Sequence, residues 1–203
     1  MSRTAYIATP SIIKLVTRTE AKSHLRIPSG VTDDDTYIDN LVLAAQECIE
    51  EYCNIILFDT TIVQYADKWE DTYNLYKSPV ENSGKATIDK IEYIADGDTS
   101  YTTWDSSKYV KDVYTCPIRI GLADDEDYPD LADVINAIKI TYDIGYSSSS
   151  DAPNALKQAC LILVGQWYEN RQEAIVGRSV GIIPLTARYI LDKYKIRTFG
   201  LPN

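Results

Sequence analysis

Among 203 residues the chain has one histidine, His24, and four cysteines, Cys48, Cys53, Cys116 and Cys160, none of them in a CxxC pair. That shortage leaves almost no ligand set for zinc, which takes clustered thiolates and imidazoles at short spacings. It also argues against hydrolysis by a serine or cysteine nucleophile. Such a nucleophile needs an adjacent base, His24 lies in an exposed helical segment between Lys22 and Arg26, and there is no GxSxG segment. Phosphate cradles are missing as well: Gly177 and Gly181 have neither a preceding strand nor a GKS/GKT ending, and they read as hinges in a loop over 176–183. No apolar run approaches the roughly 18 residues of a membrane span, and the start MSRTAYIATPSIIKLV lacks the basic-then-apolar pattern of a secretion signal. The expectation is a protein made and kept in a cytoplasm, with no membrane partner. Cations are the scarcer charge, 20 Lys and Arg against 30 Asp and Glu, for a net charge of −10. Grip on nucleic acid comes mainly from cations on phosphates, so a DNA-holding role is disfavoured. An acidic wall past which a duplex slides remains compatible.

What is present is an ordinary globular balance, 45% hydrophobic and 25% charged residues, in a chain long enough to bury a core without disulfide staples. Cys48 and Cys160 fall on apolar helical faces and read as small reduced core residues. Sixteen Tyr against two Phe is an unusual ratio. A tyrosine hydroxyl needs water or a partner when its ring is buried, which suits half-buried strands and subunit contacts.

Helical signals lie at the two ends. Thr19 is positioned to cap a short helix over 20–26 that Pro28 and Gly30 stop. Thr32 and the run Asp33 to Asp35 then open a longer helix in which Ile38, Leu41, Val42, Ala45, Cys48, Ile49 and Tyr52 recur at helical steps. Asp39, Gln46, Glu47 and Glu50 fill its other face, and it ends near Asn54. From Thr60 to Tyr146 short alternating segments follow, Val63/Tyr65, Ile91/Tyr93 and Ile138/Ile140/Tyr142, with turns at 81–84 and 96–98, and these read as antiparallel β. Ser147 to Ser150 form a joint, and Pro153 starts a helix from Asn154 to about Gln172. Its main stripe is Leu156, Ala159, Cys160, Leu163, Val164 and Trp167, but Leu161, Ile162 and Tyr168 carry apolar character round the cylinder, so more than one side needs covering. Pro184 opens a last short helix through Leu185, Tyr189, Ile190 and Tyr194.

Three features bear on chemistry. The segment Ala123 to Asp130 is acidic but lacks the spaced ligands and central glycine of a calcium loop, so it reads as solvated loop. Glu50, Glu51, Glu169 and Glu173 offer carboxylates for a glycosidic acid/base pair, but carboxylates are expected on any solvated helix face. The Tyr and Trp content suggests an alternative, a carbohydrate- or receptor-binding β module, since aromatic rings stack on sugars; against it, Trp167 and Tyr168 lie on a helix and only Trp69 and Trp104 remain for a β platform.

With the elements in order, the sequence resembles the phage head-tail connector (adaptor) families typified by gp6-like and phiE125 gp8-like proteins. The residues that carry the likeness near the start are Thr19-Glu-Ala-Lys-Ser-His-Leu-Arg-Ile27, then Asp34, Asp35, Ile38, Leu41, Ala44, Ala45, Glu50 and Tyr52. Near the end they are Ala152-Pro-Asn-Ala-Leu-Lys-Gln-Ala159, Leu163, Val164, Trp167-Tyr-Glu-Asn-Arg171, Ile183-Pro-Leu185, Leu191 and Tyr194. Between them stand Lys77-Ser-Pro-Val80, Ile91-Glu-Tyr93 and Ile140-Thr-Tyr-Asp-Ile-Gly-Tyr146. The chain departs from the group at Cys53-Asn-Ile-Ile-Leu57, where a glycine and an arginine more often follow the tyrosine.

The resemblance implies an α+β, mainly α fold: a helical bundle core, made of the N-terminal helix pair and a long C-terminal helix, with an inserted antiparallel β region. As a single connector domain over 1–203 it would have N-terminal helices over 15–58, a β-rich insertion over 59–146 and C-terminal helices over 152–196. It implies a structural, non-enzymatic subunit of the virion neck, without cofactor or metal. The subunit would join a homo-oligomeric ring of about twelve copies beneath the portal protein, with tail or further neck proteins as partners. DNA would pass through without tight binding. The residues expected at the subunit interface are Leu161, Tyr168, Arg171, Tyr189 and Tyr194.

Overall fold

The computed structural model describes residues 4–70, 72–75, 86–113, 118–171 and 183–196. The chain divides into two compact units, one of Met1–Ser11, Phe58–Tyr146 and Ile196–Asn203, the other of Ile12–Leu57 and Ser147–Lys195. Cys116, the turn at 81–84, the segment Lys77 to Val80 and the glycines of the 176–183 loop fall outside the described residues.

The second unit is helical: α1 (Arg18–His24), α2 (Asp35–Cys53), α3 (Asn154–Glu169) and α4 (Leu185–Leu191). The cap of α1 is Thr17 and not the expected Thr19, because Thr17 is the threonine with a glutamate three residues on. Thr17 Oγ1 accepts the Glu20 amide at 3.2 Å and Glu20 Oε2 accepts the Thr17 amide at 2.7 Å, a reciprocal capping box. Along α2 the buried face is Ile38, Val42, Ala45, Ile49 and Cys53. Gln46, placed by the sequence on the polar face, is buried too. Its amide meets the backbone of the chain entering α1, accepting from Leu15 N at 2.9 Å and donating to Ile13 O at 3.3 Å, so its polar atoms are satisfied in the interior. Asn54 ends α2 in the left-handed region at φ 55°, the role a glycine usually fills, and Ile55, Ile56 and Leu57 turn inward behind it.

On α3, Leu156, Ala159, Cys160, Leu163 and Val164 are fully buried at the expected spacing. Trp167 continues that stripe in sequence but is only half-buried, since α3 stops at Glu169, short of Gln172, and its last turn emerges from the core. Burial pushes the Cys53 and Cys160 thiols up to about 12, as expected of packed, unreactive sulfur.

The first unit holds β1 (Thr4–Thr9), β2 (Thr60–Ala66), β3 (Thr72–Asn74), β4 (Ala86–Tyr93), β5 (Thr102–Thr103), β6 (Tyr109–Asp112), β7 (Arg119–Leu122) and β8 (Ile138–Ile144). They form a five-stranded antiparallel sheet, in order β1-β2-β8-β4-β5, and a three-stranded one, β3-β7-β6. The expectation of a mainly α chain built on a helical bundle is therefore wrong. Among the described residues four helices stand beside eight strands in two sheets, and no helical bundle dominates. Two physical reasons account for the error. Several strands have only two to four residues, too short to show an alternation. In addition, the sheet recruits β1 from the very start of the chain, pairing Thr4 with Tyr65 and Ile7 with Ile62, so it is not confined to the middle segment.

Candidate functional site

Two of the five expected interface residues converge at the end of α3. The α2 start leaves Asp34 just outside the helix, where it makes no capping bond. Its Oδ2 instead accepts from Tyr168 Oη at 2.5 Å and from Arg171 Nη2 at 2.8 Å. The Arg171 guanidinium lies over the rings of Tyr37, at 4.6 Å, and Tyr168, at 5.0 Å. The Tyr168 hydroxyl, then Arg171, holds the Asp34 carboxyl below its ordinary range, and the same bond raises the Tyr168 phenol. This latch ties the exit of α3 to the entrance of α2. It stays open to solvent, which screens the charges, so it fixes position more than it adds stability.

A second ionic group begins at the next residue and runs along the first turn of α2. Asp35 accepts from Lys22 at 2.8 Å and Arg18 at 3.0 Å, and Asp39 pairs with Arg18 and with Lys14 at 3.1 Å. Lys22 is 5% exposed, and its ammonium also reaches the Ser29 and Val31 carbonyls, so a buried cation is fully engaged and clasps the loop between α1 and α2. Lys22 holds the Asp35 carboxyl low, and Arg18 does the same for Asp39.

The other expected interface residues are placed differently. Leu161 and Tyr194 are half-buried, whereas Tyr189 on α4 is 71% exposed, with Leu185 one turn before it at 83%. Helix α4 is held from below by Tyr52, whose hydroxyl donates to Asp192 at 2.6 Å, and by the Cys53 thiol on the Leu191 carbonyl at 3.5 Å. Leu185 was missed as a surface residue; the proline before it and its i, i+4 relation to Tyr189 were the available signals.

The tryptophans expected to form a sugar platform do something else. Trp69 and Trp104 lie 4.8 Å apart and pack with Tyr109 and Tyr128, and Trp104 is 5% exposed. The Trp69 indole donates to the Pro129 carbonyl at 2.8 Å. They share a seam with Ile91, Ile120 and Ile140; Trp104 and Tyr109 are buried in it, while Trp69 and Tyr128 are half-buried and stacked on each other, so the two tryptophans form a packed cluster and not a flat platform. In the acidic segment Glu126 pairs with Lys108 at 3.3 Å, while Asp124, Asp125 and Asp127 face solvent. Sequence reasoning also missed the loop beyond it, where Val134 and Ile135 stand out at 45% and 83% exposure.

The family model described as head completion protein matches residues 14–197. No curated protein matches the chain. Three solved structures share the fold over nearly the whole length of both chains. One, from the neck of an empty gene transfer agent (GTA) particle computed with C6 symmetry, aligns with a TM-score of 0.71 at 21% identity, covering 98% of each chain. Another, from the virion of a native GTA particle, gives 0.73 at 19% identity over 97% of each chain. A third, from the neck of a native GTA particle computed with C12 symmetry, gives 0.68 at 18% identity over 98% of each.

Proposed function

The chain belongs to the head completion protein family, and from that premise we propose that it is a structural subunit of the head-to-tail connector in the neck of a tailed phage or phage-like particle. The observation that carries this is the family match over residues 14–197, supported by a fold shared end to end with chains of GTA necks. Those necks were computed with sixfold and twelvefold symmetry, which supports a ring; a ring of twelve beneath the portal protein, meeting tail or further neck proteins, is the finer form of the proposal. The subunit works by shape and contact and not by turnover. DNA passes through the ring, and a net charge of −10 per copy supports a wall that phosphates do not stick to. Nothing supports the carbohydrate- or receptor-binding alternative: Trp104 is buried, and the Trp69 ring is stacked on Trp104 and Tyr128.

The test is genetic and visual. Deleting the gene should leave DNA-filled heads and free tails that fail to join, with joining restored by the chain supplied in trans. Normal tailed particles from the deletion strain would overturn the proposal.

A further inference from the structure

Ile135 is the most exposed aliphatic side chain among the described residues of the sheet unit, at 83%. A lone exposed aliphatic is commonplace, but this one sits on a loop fastened at both ends. Ala132 N donates to Ile94 O at 3.0 Å and Ile94 N to Ala137 O at 2.9 Å. Asn136, left-handed at φ 60°, donates its amide to Asp67 Oδ1 at 2.8 Å and accepts the Tyr101 hydroxyl on its carbonyl at 2.6 Å. The loop therefore presents Val134 and Ile135 with little ordering left to lose on contact. Around them Asp96, Asp98, Asp130 and Asp133 are exposed, and Lys139, the cation that stands over the Tyr101 ring at the foot of the loop, is paired with Glu92 at 3.0 Å.

A surface of opposite sign lies on the helical unit. Leu185 and Tyr189 share one face of α4, and Arg188 and Lys193 are exposed beside them, with the Lys193 ammonium 5.2 Å from the Tyr189 ring. The one acid of this stretch, Asp192, is exposed and accepts from the Tyr52 hydroxyl, beside which Arg188 also lies, so the cations outnumber it two to one.

We propose that the acid-ringed Val134–Ile135 loop of one copy docks on the basic Leu185–Tyr189 face of the next copy, as a head-to-tail contact repeated round the ring. The inference rests on the ring reading above and names the surfaces that make it. The occupant follows from charge. Either surface meeting itself would set like charges together, whereas the two surfaces complement each other in sign and both centre on exposed apolar side chains. A contact between two different patches, made head to tail, leaves one of each free on every open series and is the kind of contact that closes into a ring. Tyr189 suits such a seam, with its ring against Ile135 and its hydroxyl at the wet rim.

The experiment uses the full-length chain in sedimentation velocity at low and high salt. The wild type should associate in a concentration-dependent way that weakens as salt rises. Ile135→Ser, Tyr189→Ser, Asp133→Lys and Lys193→Glu should each weaken association about tenfold or more with an unchanged melting temperature, and the exchange pair D133K/K193E should recover most of the loss. A wild type that stays monomeric, an Ile135→Ser variant that associates normally, or an exchange pair no better than its parts would each overturn the contact. None of these results touches the neck assignment, which stands or falls on the deletion strain.

Discussion

Gly145 closes β8 at φ +118°, and the space where a side chain would begin is already occupied. A Cβ there would lie 2.3 Å from the Phe58 carbonyl carbon, 2.5 Å from its oxygen and 2.8 Å from the Asp59 nitrogen, against the 3.4–4 Å of ordinary contact. All three atoms are backbone, in the segment that pairs Phe58 with Tyr146 and donates Asp59 N to Tyr146 O at 3.1 Å. Gly145→Ala thus imposes a positive φ on an L residue, about 1–3 kcal/mol, and forces backbone to move by about 1 Å, a further 1–3 kcal/mol on the scale of overpacked cores. Gly97 supplies the control, with φ +82° and nothing within 4 Å of its Cβ position, so Gly97→Ala carries only the conformational part. Urea unfolding in a Trp167→Phe background, where fluorescence comes from Trp69 and Trp104 of the sheet unit alone, should show Gly145→Ala losing about 3–5 kcal/mol and Gly97→Ala about 1–2. Equal losses at the two positions would refute the steric argument and leave only the dihedral.

Leu163 is fully buried and Leu161 half-buried on the same helix, so Leu163→Ala should cost about 2–5 kcal/mol and Leu161→Ala less than half as much, measured by denaturation followed at 222 nm. Partners depress the carboxyls of Asp34, Asp35 and Asp39, namely Tyr168, Lys22 and Arg18. Groups lowered in the folded state stabilise it fully above their unfolded values near 4 and lose that contribution as pH falls through the lowered ones. Acid titration of Trp167 fluorescence should therefore show the helical unit weakening below about pH 4, and Asp35→Asn should flatten that dependence. An unchanged acid profile in that variant would remove the ionic group as its source.

The two long helices were legible in the sequence because each carries a periodic stripe and a punctuating residue, Asn54 after α2 and Pro153 before α3, and the short α4 showed through Pro184 before it. The three longest strands of the middle region, β2, β4 and β8, showed through Val63, Ile91 and Ile140. The balance of the fold did not show. Thr4–Thr9 has no long apolar alternation and becomes a strand only because β2 offers an edge, which is a tertiary cause. For the surfaces, the sequence pointed to Tyr168 and Arg171 as outward anchors, but it could not reveal that Asp34, more than a hundred residues earlier, engages both. It placed Ile138 in an alternating strand, where it is buried, but nothing in it showed that Ile135, three residues earlier, is held out on a fastened loop.

The order β1-β2-β8-β4-β5 puts β8, the last strand among the described residues, in the middle of the large sheet, hydrogen-bonded to β2 on one side and β4 on the other. During synthesis β2 and β4 therefore have no partner between them until the ribosome has released Ile144, and α2 likewise waits for α3. Neither unit can be completed early, and the nascent chain carries unpaired strand edges through most of its translation. A chain with such non-local pairing folds slowly, and truncation anywhere before residue 144 should yield an aggregating fragment and not a smaller folded piece. The strand order thus makes synthesis past residue 144 a condition of solubility.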